Sequence, residues 1–348
     1  MKALLTQRGP VLILALGFLG CGILPGDGPA GSALTDEEME YQRQLAFSEQ
    51  APNTDRGRAE LVMRLDQNLL HWNRGNVEQF GSEDRKLVDN LEEVLQRTVY
   101  LNFETVLRVL ETGEPNQKAI AAAAIGFARL REPADPEERR LFLARWPQLY
   151  PRAVSTLVRL LDAEEPYLVQ NCLLGLWKLG DPTTPTDPII ALLTRPEEDI
   201  RANAVLALST ILTPETGEPA ISALINALYD QKPKVRAHAV TAVAAIRNQS
   251  AAGRLAQLLD DRYLLVQANA AQALGKLGDV KNCEYLLKRL ERLLRDTPDG
   301  EFRELTDLDR RRDFVATHLI ASLELLSGQR HGDDIEKWRN WWLEERPR

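Results

Sequence analysis

Residues 168–176 read LVQNCLLGL, and the same nine-residue pattern returns as IRANAVLAL at 200–208, VRAHAVTAV at 235–243 and VQANAAQAL at 266–274. The four copies begin 32, 35 and 31 residues apart. A pattern that recurs every roughly 20 to 50 residues is typical of proteins built from stacked repeats. The sequence therefore predicts one helical unit that is written several times along the chain.

Each copy of the pattern follows an apolar stripe at helical spacing, so each unit is expected to be a hairpin of two helices. The stripes of the four first helices comprise Leu157, Leu160, Leu161; Ile189, Ile190, Leu192, Leu193; Ile221, Leu224, Ile225, Leu228; and Leu255, Leu258, Leu259. In the second helices, the fifth and eighth positions are small, which lets neighbouring helices approach closely. These residues are Cys172, Ala204, Ala239, Ala270 and Gly175, Ala207, Ala242, Ala273. The predicted fold class is all-α.

The copy at 235–243 and the ending LGKLGD at 274–279 resemble the HEAT repeat, in the short form also seen in phycobilisome-lyase-like proteins. The clear resemblance covers about 153–279, and weaker units extend it in both directions. It implies an α-solenoid of stacked HEAT-like hairpins with an extended concave face. Because rigid inner helices would present a preformed surface, such a face is suited to binding another protein.

The predicted array occupies 113–328 and is flanked by an N-terminal helical region at 34–112 and a Trp-rich capping helix at 329–348. Its divergent first repeat reads AIAAAAIGF at 119–127, and its last second helix reads VATHLIASL at 315–323. In the N-terminal region we expect one helix at 35–47, a second helix that begins with Asp55 as its cap, and a third helix at 82–110. The last hairpin is predicted to have its first helix at 285–294 and a polar loop at 295–313.

The charged insertion at 131–151 allows two interpretations. It is either a binding arm with exposed aromatic side chains or an extra helix that packs Leu141, Phe142 and Trp146 on the array.

Residues 1–20 carry Lys2 and Arg8 before a short apolar run, which predicts an export signal. The run ends at Gly20-Cys21, which resembles the signal of bacterial lipoproteins, although Phe18 and Leu19 depart from its usual residues. That resemblance implies a lipid on Cys21, a flexible tether at 21–33 and a place in the cell envelope, on the periplasmic side of a bacterial membrane. Gly22 after the cysteine favours the outer over the inner membrane. The alternative is an ordinary signal or an uncleaved anchor.

The fourth position of the pattern is polar in every unit, and its row comprises Asn171, Asn203, His238, Asn269 and His318. Since apolar or small residues surround it, we expect each side chain to hydrogen-bond the preceding inter-helix turn and fix the stacking register. The alternative is a polar row that contacts a partner.

The candidate partner contacts are polar residues predicted to be exposed on the inner helices, with aromatic residues of the tail as a second candidate. They are Gln170, Arg201, Arg236, Gln267, Trp338 and Trp342. Trp338, Trp341 and Trp342 share one helix side, so they are also suited to cap the open end of the array.

No motif for a catalytic site, a metal or a cofactor occurs in the sequence. The formal net charge of −8 disfavours nucleic acid as a partner. Cys172 and Cys283 belong to units several layers apart, so both are expected to stay reduced. The sequence favours an exported, lipid-anchored scaffold without catalytic activity that binds a protein. The alternatives are a ligand-handling or lyase-like protein and a purely structural spacer of the envelope.

Overall fold

The computed structural model describes residues 54–77, 82–129, 136–213, 218–295 and 307–345. The predictions for the export signal, Cys21, the tether and the helix at 35–47 lie outside these residues. The described residues form fifteen α-helices with short 3₁₀ turns and no strand. The predicted fold class, an all-α solenoid of stacked helical hairpins, is confirmed.

The chain divides into two compact units, one up to Leu179 and one from Gly180. The helices of the N-terminal unit are α1 Asp55–Val77, α2 Ser82–Leu101, α3 Phe103–Thr112, α4 Pro115–Ile125, α5 Pro136–Arg159 and α6 Pro166–Leu179. Helix α1 packs against α2, α3 against α4, and α4 against α6. The divergent repeat at 119–127 therefore stacks its second helix on that of the next hairpin.

The C-terminal unit continues the pattern with α7 Asp187–Ala191, α8 Glu198–Ile211, α9 Glu218–Ala227, α10 Pro233–Ile246, α11 Ala252–Leu258, α12 Leu264–Leu277, α13 Asn282–Arg295, α14 Asp307–Ser327 and α15 Ile335–Glu345. The second helices stack in the order α8, α10, α12, α14, and α9, α11 and α13 each pack on the second helix of their own hairpin. The apolar stripes of the first helices supply the core residues Ile189, Leu224, Leu228, Leu255, Leu258 and Leu259.

The small residues at the fifth and eighth pattern positions lie in the packed core. Ala204, Ala207, Ala239 and Ala242 are fully buried, at 0% exposure. Helices α6 and α12 are followed by Gly180 and Gly278, which adopt φ values of 53° and 77°. Those left-handed residues end the second helices.

Three predicted helix boundaries are wrong. The helix expected at 82–110 breaks at Asn102, whose side-chain amide donates to the carbonyl of Thr98 at 2.9 Å and competes with the helical bonding. Helix α1 is capped by Thr54, not Asp55, because the Thr54 hydroxyl accepts the Gly57 N–H at 3.0 Å. Helix α14 begins at Asp307, so the predicted loop at 295–313 is helical over its last seven residues.

The segment at 131–151 is helical from Pro136 and runs directly into the first helix of the next hairpin. The Trp146 ring lies 5.4 Å from the Phe103 ring and stacks on Tyr150 at 4.5 Å, measured between centroids. These contacts place Trp146 against α3, which favours the interpretation as a packed helix over a binding arm.

Candidate functional site

The second pattern position holds the hairpins of the C-terminal unit together. Arg201 donates from Nε and Nη2 to the carboxylate of Asp230, at 2.8 and 3.0 Å, and from Nη1 to the carbonyls of Arg195 and Pro196. Asp230 lies in the turn of the following hairpin. The guanidinium therefore links the turn between α7 and α8 to the turn between α9 and α10.

Arg236 repeats this arrangement one layer further on. Its Nε and Nη2 donate to the two oxygens of Asp261, both at 2.8 Å, and its Nη1 donates to the carbonyls of Asp230 and Gln231. The Arg236 side chain is 11% exposed and that of Asp261 is 7% exposed. Bidentate pairing of this kind is strong and geometrically specific.

The expectation that Gln170, Arg201, Arg236 and Gln267 face a partner is therefore wrong. Gln170, Arg236 and Gln267 are each 9% exposed as whole residues. Gln267 donates to the carbonyl of Asp261 and accepts from Arg289, so it continues the role of the two arginines. The sequence does not reveal this role, because the acidic partners lie 25 to 29 residues away along the chain.

The fourth pattern position, for which the turn contacts were predicted, does not make them. Asn171 and His318 bond the carbonyls of Tyr167 and Phe314, in the first part of their own helices, both at 2.7 Å. In α8, α10 and α12, Asn203 Nδ2, His238 Nδ1 and Asn269 Nδ2 are buried without a hydrogen-bond partner. The hydrogen bonds predicted between this row and the turns are therefore not seen for these atoms, and the long side chains at the second position reach the turns instead.

The three members of this row on α8, α10 and α12 are buried and uncharged. Asn203, His238 and Asn269 are 3%, 2% and 8% exposed. Burial, together with the nearby charge of Lys234, lowers the pKa of His238 to about 4. At neutral pH these three side chains are therefore two amides and a neutral imidazole, each with both donor and acceptor capacity.

Because His238 is neutral in the folded protein and charged in the unfolded chain below about pH 6.5, stability should fall as the pH is lowered through this window. At pH 4 we expect His238 to reduce the free energy of unfolding by about 3 kcal/mol relative to pH 7. The variant His238→Asn, which places the residue of the neighbouring repeats there, should lose this part of the pH dependence. Urea unfolding of both proteins between pH 4 and 7.5 measures it, and parallel profiles would contradict the prediction.

The residues seven positions beyond the row form an exposed register. They are Thr210, Ala245, Lys276 and Leu325, one on each of α8, α10, α12 and α14. Seven residues are close to two helical turns, so this register lies on the same helix faces as the polar row. We call the polar row Asn203, His238, Asn269, His318 and this register together the second-helix face. At its α14 end, Phe314 is 41% and Leu325 66% exposed.

The tail caps the C-terminal unit through one tryptophan. Trp338 is fully buried and donates from Nε1 to the carbonyl of Gly332 at 2.8 Å, and the His331 ring meets it edge-on at 4.7 Å. Helix α15 packs against α13, and Arg339 pairs with Glu291 at 2.7 Å. Trp338 therefore serves the cap and is not available as a partner contact, while Trp342 is half-buried.

The N-terminal unit contains a buried lysine that sequence reasoning missed. Lys178 Nζ lies 2.7 Å from Glu92 Oε1 and 4.6 and 5.0 Å from the ring centroids of Trp72 and Phe127. Trp72 also donates to Glu92, at 3.0 Å. No sequence pattern could have connected residues 86 positions apart. This cluster has a structural role, since one carboxylate and three rings, those of Trp72, Phe127 and Trp177, surround the ammonium.

The two cysteines of the described residues are poor candidates for a nucleophile. Cys172 and Cys283 are free and buried, as predicted, and burial raises the pKa of both thiols, that of Cys283 to about 12. A thiol with a raised pKa is a poor nucleophile. In this part of the chain no group of three His, Cys, Asp or Glu side chains could hold a metal ion. None of the described helices is both long and apolar enough to cross a bilayer.

Residues 221–306 match a family model described as HEAT repeats. No curated protein sequence matches the chain. Among solved structures, Kap121p is similar with a TM-score of 0.52 and 16% identity over 88% of this chain and 33% of its own. The chain thus spans about a third of Kap121p, and the likeness concerns the fold.

Two further similar structures have lower TM-scores. A designed armadillo repeat protein in complex with the peptide (KR)4 has a TM-score of 0.41 and 19% identity, over 69% of this chain and 99% of its own. The CpcE–CpcF complex of phycocyanin lyase from Nostoc sp. PCC7120 has a TM-score of 0.37 and 17% identity, over 86% and 99%.

Proposed function

We propose that this protein is a non-catalytic scaffold that binds another protein on the second-helix face of its C-terminal unit. The proposal rests on the different roles of two positions in the nine-residue pattern. In α8, α10 and α12 the second position supplies contacts between hairpins, whereas the fourth position holds a buried polar side chain with one nitrogen that has no hydrogen-bond partner. On the same helix faces lies the exposed register, with one residue on each of the four second helices of the C-terminal unit.

The composition of this face suits a protein partner. Phe314 and Leu325 offer exposed apolar surface at one end, and Lys276 is the charged member of the exposed register. Interfaces between proteins combine an apolar centre with a polar rim in this way. Binding by a preformed helical surface also requires little ordering of the scaffold itself.

Photo-cross-linking in cells of the source organism tests the proposal. A photoreactive amino acid placed at Ala245 or Lys276, on the second-helix face, should cross-link one protein reproducibly. The matched controls are Asn226 and Gln257, which are exposed on the first helices α9 and α11. Labelling that is equal from both faces, or absent from both, would contradict a dedicated binding face and favour a spacer. All four substitutions lie on exposed positions, so the fold should tolerate them.

Charge reversal of Arg201 and Arg236 is unsuitable as a test of binding. Both side chains hold inter-helix turns, and loss of binding in those variants would report loss of structure.

We further propose that the scaffold is exported and held at a membrane of the bacterial envelope by a lipid on Cys21. The support is the resemblance of 1–21 to lipoprotein signals. Acyl chains on a terminal cysteine would anchor the protein without a spanning helix. The face would then be presented on the periplasmic side, at the end of the tether at 21–33.

The variant Cys21→Ser should move the protein from the membrane fraction to the soluble fraction and abolish incorporation of radiolabelled palmitate. The control Cys283→Ser alters a buried cysteine of the folded part and should leave both properties unchanged. Palmitate incorporation that persists in Cys21→Ser would refute the anchor.

A further inference from the structure

Resting on this proposed function, we infer that the protein partner is acidic where it meets the C-terminal ends of α10 and α12, and that Arg247 and Lys276 bind its carboxylates. The starting point is the backbone of Arg247, which ends α10 with a φ of 52°. Within the described residues the other positive φ angles belong to glycines, such as Gly180 and Gly278 after α6 and α12. An arginine therefore stands where these two second helices end in glycine.

The needs of the helix do not account for this arginine. A left-handed conformation is unfavourable for any residue with a side chain, because its Cβ lies too close to the following carbonyl oxygen. A cation near the C-terminus of a helix is favourable, but it does not require this position. Helix α12 carries Lys276 in its last turn and still ends in Gly278. In α10 the position equivalent to Lys276 is Ala245, so the same combination was open to it.

The charges of Arg247 and Lys276 are not used by the fold. Both residues are exposed, and neither side chain makes an ion pair or a hydrogen bond with another described residue. The nearby carboxylate of Asp279 accepts the N–H of Lys281 in its own turn, at 2.9 Å. At the opposite end of α10, by contrast, Arg236 is paired with a buried carboxylate. The two free cations are therefore available to a partner.

The two cations lie at the same end of neighbouring helices. Helix α10 packs on α12, and their C-terminal ends meet, because Gln249 Nε2, just beyond α10, donates to the carbonyl of Leu277 at the end of α12, at 2.7 Å. Axes of helices packed in this way are about 8 to 10 Å apart. Lys276 belongs to the second-helix face, and Arg247 lies two residues beyond its member Ala245. Both cations are thus at the rim of the proposed binding face.

The chemistry of this rim selects the carboxylates of a protein as its ligand. Guanidinium and ammonium groups bind carboxylates and phosphates through charge-assisted hydrogen bonds. Two cations are too few to hold an extended polyanion such as nucleic acid against the formal net charge of −8 of the chain. They are sufficient for a protein, because charges at the rim of an interface steer the encounter and fix its orientation. The partner is therefore expected to carry Asp or Glu at this end.

The test uses a carbodiimide, which joins an amine directly to a carboxylate as an amide with loss of water. In extracts of the source organism it should couple Lys276 to an Asp or Glu of the protein that photo-cross-links from Ala245, as peptide mass spectrometry will show. Arg247→Lys keeps the charge and supplies an amine, so this variant should also couple at position 247. The matched control Arg262→Lys places an amine on an exposed residue at the opposite end of α12 and should give no such conjugate. Equal coupling at 247 and 262 would overturn the inference.

The variant Arg247→Gly separates binding from folding. Since glycine adopts a left-handed conformation without a side-chain clash, this variant should raise the melting temperature of the purified protein. The loss of one rim contact should lower the yield of photo-cross-linking from Thr210, one layer away, by about fivefold. Arg247→Lys should restore the yield, because it restores the charge. An unchanged yield in Arg247→Gly, or a fall in its melting temperature, would refute the role of Arg247 in binding.

The two proposals fail in different ways. A protein that photo-cross-links from Ala245 but forms no carbodiimide conjugate with Lys276 would leave the scaffold standing and remove the acidic contact. Absence of photo-cross-linking from the second-helix face would remove the scaffold itself.

Discussion

Replacement of Arg236 by methionine should lower the free energy of unfolding by about 3 to 5 kcal/mol, because it leaves the buried carboxylate of Asp261 without its charged partner. The side chains of this pair are 11% and 7% exposed, so water compensates little. The variant also loses the two carbonyl acceptors of the preceding turn. Urea denaturation followed by circular dichroism at 222 nm measures the change.

Two variants isolate the cause. Lys288→Met removes an exposed pair with Glu284 within one helix and should leave the free energy of unfolding nearly unchanged. Arg236→Met/Asp261→Asn removes both charges and should recover part of the stability, since no unpaired charge then remains buried. If the double variant were as unstable as Arg236→Met, the lost packing of the arginine, rather than the orphaned carboxylate, would be the main cause.

Gly175→Ala should destabilise the N-terminal unit by about 3 kcal/mol, at the upper end of the usual effect of overpacking. A Cβ on Gly175 would lie 2.3 Å from the carbonyl oxygen of Ala122 in α4. That neighbour is backbone, so the methyl group can be accommodated only if α4 and α6 move apart. Thermal and urea unfolding of the variant measure the loss.

Two other glycines provide controls for this prediction. Gly275→Ala would meet the Ser322 side chain at 3.0 Å and should cost less, because a side chain can yield where backbone cannot. Gly253 in α11 has no atom within 4 Å of an added Cβ, so Gly253→Ala should stabilise by about 0.5 to 1 kcal/mol through helix propensity. Equal effects at the three sites would refute the steric explanation.

The sequence by itself determined the helical hairpins, their order and the identity of their buried faces. Those properties follow from local periodicity: apolar residues at helical spacing, small residues such as Ala204 and Ala239 at the crossings, and glycine at the helix ends. Each signal lies within one repeat, so it can be read without knowing what the repeat packs against. The sequence did not predict the helix break at Asn102. The apolar pattern continues through this residue, while a single side-chain hydrogen bond interrupts the helical hydrogen bonding.

Only the tertiary structure decided which polar positions serve the fold. The sequence shows Arg236 and His238 as two polar residues on one helix and assigns the turn contacts to the wrong one. The carboxylate that pairs with Arg236 belongs to Asp261, 25 residues further on. The one that pairs with Lys178 belongs to Glu92, 86 residues back. Hydrogen bonding is sensitive to differences of a few tenths of an ångström in the distance between such groups. Sequence spacing does not contain those distances, whereas the packing of hairpin on hairpin fixes them.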